Sequence, residues 1–210
     1  MSKIHYIKFL WNSVNAHGVH SPFVFNIATE ALDVSRMRLP KSKSKEIKPV
    51  LSPKVIDVLL RVLQYFKPEK SIILGNEALA AAETVRTCGE HLNIKIWFLS
   101  HLAHISGTID MVYLSATEEE NPLPLFEKLL PNISDKTVCV VTDIHSSPET
   151  EEVWETIKQD PRITVTIDTY HLGLVFFRQG QAKEHFIIRT TNSKLLDFIL
   201  GARKLWGLLY

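Results

Sequence analysis

The stretch from Thr137 to Phe177 constrains the fold most. Val138-Cys139-Val140-Val141 is apolar at every position and rich in β-branched residues, which suits a central strand covered on both faces. Thr142-Asp143-Ile144-His145 follows and places polar side chains at the strand's carboxyl end, the first place to look for chemistry in an α/β protein. Ser147 then offers an N-cap with Pro148 in the first turn, Ser146 and Glu149 fit the S-x-x-E spacing, and Val153, Trp154 and Ile157 mark one helical face. A helix is therefore predicted over residues 148–159, stopped by Asp160-Pro161. Ile163 to Asp168 alternates with period two, and Leu172 to Phe177 is a second β-rich run after a short turn. Strand, helix and hairpin follow one another.

Around this stretch the chain reads as further α/β units. Ile4 to Asn15 suits a short helix, broken by His17-Gly18-Val19-His20, and Ser21-Pro22 starts another with Phe23, Val24, Ile27 and Leu32 spaced for burial. Ser52-Pro53 opens a helix with Val55, Ile56, Leu59, Leu60, Leu63 and Phe66 on a broad apolar face, and Lys67-Pro68 ends it. Ser71 to Gly75 is the natural first strand, followed by an alanine-rich helix over about 78–90 and a second strand over Ile94 to Leu99. Ile109 to Leu114 is the next strand and Leu123 to Leu130 a short helix. At about 1.5 Å per helical residue, Ser100 to Thr108 makes two turns at most, too little for a crossover unit between strands. One strand unit is trimmed.

With 210 residues and a hydrophobic share of 45%, the chain has enough apolar content for one α/β domain. Its expected organisation is a helical N-terminal extension over 1–50, the α/β domain over 51–190 and an apolar C-terminal helix over 191–210. Lys plus Arg total 24 against 23 Asp plus Glu, which gives no general pull toward nucleic acid. Cys88 and Cys139 read as two reduced thiols, one in a helix and one in a buried strand. No apolar run is long enough for a transmembrane segment and no cleavable leader pattern is present, so a cytoplasmic location is expected. Ser193 to Tyr210 carries more apolar surface than one half-exposed helix needs. It packs back onto the domain, forms a homodimer or protein-partner interface, or lies on a membrane surface.

Asp143-Ile144-His145, Gly173 to Phe177 and His17-Gly18-Val19-His20-Ser21-Pro22-Phe23 together carry a resemblance. On these motifs, which lie toward both ends of the chain, it resembles the class I S-adenosylmethionine-dependent methyltransferases, and most of all a small bacterial methyltransferase-like group. The resemblance implies a Rossmann-like sheet, mostly parallel with a C-terminal antiparallel hairpin, and S-adenosylmethionine as cofactor if the protein is active. It also implies a cofactor site after the first two strands, with Gly75, Asn76 and Ser100 as its matching positions. The middle of the chain departs from the pattern. Where that family has a loop with further glycines, Glu77, Leu79 and Ala81 stand. The carboxylate expected after the second strand to hold the ribose hydroxyls is replaced by Leu99-Ser100-His101, and the aspartate expected after the next strand by Ser115-Ala116-Thr117.

Asp143 and His145 are the candidates for acid–base chemistry, histidine having an ordinary pKa near neutrality. The alternative is structural, with Asp143 capping the following turn and His145 packing on Trp154 or bonding backbone. Asp168, Tyr170 and His171 in the hairpin turn are placed to line the same rim or simply to make the turn. The pairs His17/His20 and His101/His104 have ligand-like spacing but no accompanying carboxylate or thiol set, so no metal is assigned. Three functions follow from this reading. One is a methyltransferase-like protein with a degenerate cofactor site acting as a non-catalytic binding or assembly module. The second is an active methyltransferase with an atypical pocket, and the third a binder of another nucleotide or small ligand.

Overall fold

The computed structural model describes residues 3–32, 51–75, 78–99, 106–115 and 123–190. In chain order these form α1 (Lys3–Asn12), a 3-10 turn, α2 (Pro22–Asn26) continued by a π-helical turn over Ile27–Ala31, α3 (Pro53–Phe66), β1 (Lys70–Leu74), α4 (Ala78–Leu92), β2 (Trp97–Leu99), β3 (Met111–Ser115), α5 (Leu123–Leu129), β4 (Val138–Thr142), α6 (Pro148–Gln159), β5 (Val165–Asp168), β6 (Leu172–Phe176) and β7 (Glu184–Ile187). The strands make one seven-stranded sheet in the order β2-β1-β3-β4-β6-β5-β7. β1 to β4 are mutually parallel, and β6 alone runs against its neighbours on both sides. The fold is thus α/β, with a mostly parallel, Rossmann-like sheet and a C-terminal antiparallel pair. β2 is the outermost strand among the described residues, and residues 100–110 join it to β3.

Period-two alternation puts helices on both faces. Ile73, Met111, Tyr113, Val138, Val140, Ile167 and Leu174 share a core with α2, α3 and α4. Ile72, Val112, Leu114, Cys139, Val141 and Val175 face the other way, onto Phe126 and Leu129 of α5 and Trp154 and Ile157 of α6. β4 is buried at all of its residues, as its unbroken apolar run requires. Two Ser-Pro pairs open helices as expected. Ser21 accepts from Val24 N ahead of α2, and Ser52 accepts from Val55 N ahead of α3. α3 ends where Lys67 turns left-handed before Pro68. Its buried Arg61 is paired with Asp57 and donates to Leu32 O at 2.9 Å, so the charge is not left bare in the core.

Three local expectations are corrected. The capping box at α6 is Ser147 with Thr150, which exchange bonds between side chain and backbone, and not Ser146 with Glu149. β2 is confined to Trp97–Leu99 because the chain leaves α4 through a left-handed Asn93 and joins the sheet only at Trp97. β7 was not anticipated. It adds to β5 as a parallel edge strand, and just beyond it Ile188 bridges to Val14. Arg189 donates to Ser13 O at 3.0 Å, fastening the segment after α1 to the far edge of the sheet. No helix among the described residues is long and apolar enough to cross a membrane.

Candidate functional site

β5 runs antiparallel to β6, and β6 antiparallel to β4, so the carboxyl ends of β4 and β5 lie on one sheet edge with β6 between them. Asp143 leaves β4 in the left-handed region at φ 56°, and Ser146 N donates back to its carbonyl at 2.9 Å. Ile144 points into the core. His145 is thereby turned toward the end of β5.

There His145 Nε2 lies 2.7 Å from Asp168 Oδ2 and Nδ1 lies 3.1 Å from Glu151 Oε1. Glu151 stands in the first turns of α6, and Asp168 is the last residue of β5. Asp168 also holds the hairpin turn, its Oδ1 accepting from Tyr170 N at 2.7 Å, with Tyr170 at φ 73°. Tyr170 stacks on His145 with centroids 5.2 Å apart, and Tyr6 and Phe9 of α1 pack against Tyr170. His5 of α1 places Nδ1 3.3 Å from the same Glu151 oxygen that His145 uses. Four chain segments therefore converge on one imidazole.

Burial works to lower the pKa of His145, but the hydrogen bond and charge of Asp168, followed by those of Glu151, outweigh it and the net shift is upward. Each ring nitrogen faces a carboxylate oxygen, which both can satisfy only as N–H donors. In its protonated form, which the raised pKa favours, His145 satisfies both carboxylates and keeps no lone pair. Asp143 differs: burial raises its pKa, with Thr142 opposing the rise, so its carboxyl is easier to protonate than an ordinary aspartate. Asp143 and His145 are thus two positions apart in sequence but not paired with each other. The expected packing of His145 on Trp154 is replaced by stacking on Tyr170, because Trp154 occupies the other face of the sheet against Gly173.

Of the cofactor positions implied by the resemblance, Gly75 ends β1 at φ 111°, a conformation that favours glycine. A Cβ there would come 2.8 Å from Ser115 Cβ, so the ends of β1 and β3 touch through it. Asn76 and Ser100 lie outside the described residues, as do His101, His104 and the C-terminal segment 191–210. The hydroxyls of Ser115 and Thr142, paired in register at the carboxyl ends of β3 and β4, are buried without a hydrogen-bond partner among the described residues.

Both cysteine thiols are buried. Burial pushes the Cys88 thiol up to about 12 and Cys139 higher still, so both stay protonated at neutral pH. The described residues contain no group of three or more His, Cys, Asp or Glu placed to hold a metal ion. His145 has the carboxylates but is surrounded by hydrogen bonds, not by a coordination shell. Sequence reasoning found Asp143, His145 and Asp168 but missed Glu151 and His5. The only available signal for Glu151 was its place one helical turn inside a cap, and for His5 there was none.

No family model matches the chain, and no curated protein matches it. Solved structures do. An O-methyltransferase from Bacillus cereus in complex with SAH is similar at 15% identity, over 68% of this chain and 94% of that one, with a TM-score of 0.45. The SAH-bound Podospora anserina methyltransferase PaMTH1 is similar at 11% identity over 84% of this chain and 94% of that one, with a TM-score of 0.44. A methyltransferase from Geobacter sulfurreducens shares 9% identity over 67% of this chain and 92% of that one, with a TM-score of 0.47.

Proposed function

We propose that this chain is a methyltransferase-like protein with a degenerate S-adenosylmethionine site, working as a non-catalytic binding or assembly module. The observation that carries the reading is the state of His145. A general base needs a free lone pair within reach of the substrate proton. His145 is poorly placed for that role, since carboxylate oxygens occupy both of its ring nitrogens and the Tyr170 ring lies against its face. The residues after β1, β2 and β3 add to this, because the glycines and carboxylates that would hold the cofactor are replaced at each place in turn. In this reading Ser193 to Tyr210 supplies the apolar contact to a second copy or another protein, and the protein is bacterial and cytoplasmic.

Calorimetric titration of the full chain with S-adenosylmethionine and S-adenosylhomocysteine, with and without a divalent metal, tests it. No saturable heat is expected at ligand concentrations up to about 1 mM, the range in which only about −4 kcal/mol would be needed. Saturable binding at micromolar levels would overturn the proposal.

A second reading, an active methyltransferase with an atypical pocket, is favoured by one observation. Ser115 and Thr142 bring two hydroxyls to neighbouring strand ends beside an Asp143 of raised pKa, where ligands of open α/β sheets bind. The same titration separates the two readings.

A further inference from the structure

Beyond β5 lies a cleft of about 120 Å³ that shares no residue with the ends of β1 and β3. Tyr6 and Phe9 of α1, Lys54 and Val58 of α3, His171 of the β5–β6 turn and Thr190 line it. Water takes about 30 Å³ per molecule in the liquid, so the cleft has room for a ligand of a few heavy atoms. It is divided by chemistry: Phe9 and Val58 are buried and apolar, whereas Lys54 and His171 bring polar groups to it.

The Lys54 ammonium sits 5.5 Å from the centroid of Tyr6 and has no carboxylate partner among the described residues. Asp57, the one carboxylate of the cleft, is already paired with the buried Arg61. His171 touches Tyr170 edge-on at 5.1 Å, and neither of its ring nitrogens has a hydrogen bond among the described residues. The charged groups acting on it are Lys54 of α3, Asp168 of β5 and His145 after β4. Burial first, and then Lys54, push His171 down to about 4, with Asp168 opposing and His145 assisting. At neutral pH His171 is therefore an uncharged ring with one N–H to give, beside an ammonium that meets no carboxylate among the described residues.

We propose that this cleft binds a short-chain monocarboxylate, its carboxylate between the Lys54 ammonium and the His171 N–H, and its hydrocarbon against Phe9 and Val58. A phosphate suits the site less well. Its extra charged oxygens would press on Phe9 and Val58, where they find no donors. The site does not depend on whether S-adenosylmethionine binds, because the two places have no residue in common.

The test follows the His171 ring resonances by NMR while the full chain is titrated with sodium butyrate, and in parallel with butyramide and inorganic phosphate. A saturable shift with butyrate is expected, with a dissociation constant on the order of 1 mM. The His171 pKa should rise in its presence, since a bound anion favours the imidazolium. Lys54 is solvent-facing, so K54Q should keep the folded spectrum while weakening butyrate about tenfold or more. H171F, which keeps the ring's bulk but not its N–H, should weaken it as well, read from the neighbouring Phe9 and Tyr6 signals. No saturable shift with butyrate, equal binding of the uncharged amide, tighter binding of phosphate, or unchanged affinity in K54Q would each overturn the proposal. None of these results bears on the cofactor titration.

Discussion

His145 is the residue on which most of the carboxyl edge depends. Only 18% of its side chain is exposed, and it is bonded to an Asp168 side chain that is 10% exposed. Replacing it with alanine would remove the imidazole that joins Asp168 to Glu151. H145A should therefore lose about 2–4 kcal/mol of stability, read from the urea midpoint. The pH dependence has a defined sign. The pKa of His145 in the fold is raised above its ordinary value near 6.5, so its stabilising contribution is complete below about 6.5 and is lost as pH rises through the folded value. The gap in stability between the wild type and H145A should narrow on going from mildly acidic to mildly alkaline solution. A gap that stays constant would mean that His145 is not an imidazolium. Gly75 is the second such residue. G75A has to place a methyl 2.8 Å from Ser115 Cβ on a backbone at φ 111°, and should cost about 2 kcal/mol or more by thermal unfolding.

Among the elements, β6 and α6 meet through Gly173 and Trp154. A Cβ on Gly173 would lie 2.5 Å from the indole ring, and Trp154 is 2% exposed with nowhere to retreat. G173A is expected to destabilise by about 1–3 kcal/mol and to change Trp154 fluorescence, whereas S147A, which only removes the α6 cap, should cost about 1 kcal/mol and leave the emission alone. The elements themselves were largely legible in the sequence, because the signals that define them are local. Ser21-Pro22, Ser52-Pro53 and Ser147-Pro148 announce helix starts, and the even apolar run of β4 announces a strand covered on both faces. β7 was not legible: Glu184 to Ile187 is half exposed and, among the described residues, pairs with a full strand only on its β5 side, so it lacks a buried-strand pattern. The site was legible in part. Asp143 and His145 stand out at a strand end, but the partners of His145 lie 6 and 23 residues away. They are brought to it by a left-handed turn at Asp143 and by the hairpin, neither of which periodicity reveals.

Across the whole molecule, stability should be graded from the middle of the sheet outward. β3, β4 and β6 are buried at all of their residues, whereas β7 is at an edge and β2 covers only three positions. Amide exchange followed by mass spectrometry should find the slowest amides in β3, β4 and β6 and the fastest strand amides in β2 and β7. Equal protection across the sheet would contradict this gradient. The bridge between Val14 and Ile188, with Arg189 bonded to Ser13, also has a consequence for how the protein is made. A ribosome delivers α1 well before the segment that fastens it, since Arg189 follows Ser13 by 176 residues. Contacts of such wide separation form late, after the loop they close has been ordered. Until then Tyr6 and Phe9 have no Tyr170 to cover, and the outward pair Ile7 and Trp11 travels with them. α1 is thus seated only after the segment beyond β7 has been made, and until then it is an apolar segment of the kind that chaperones hold.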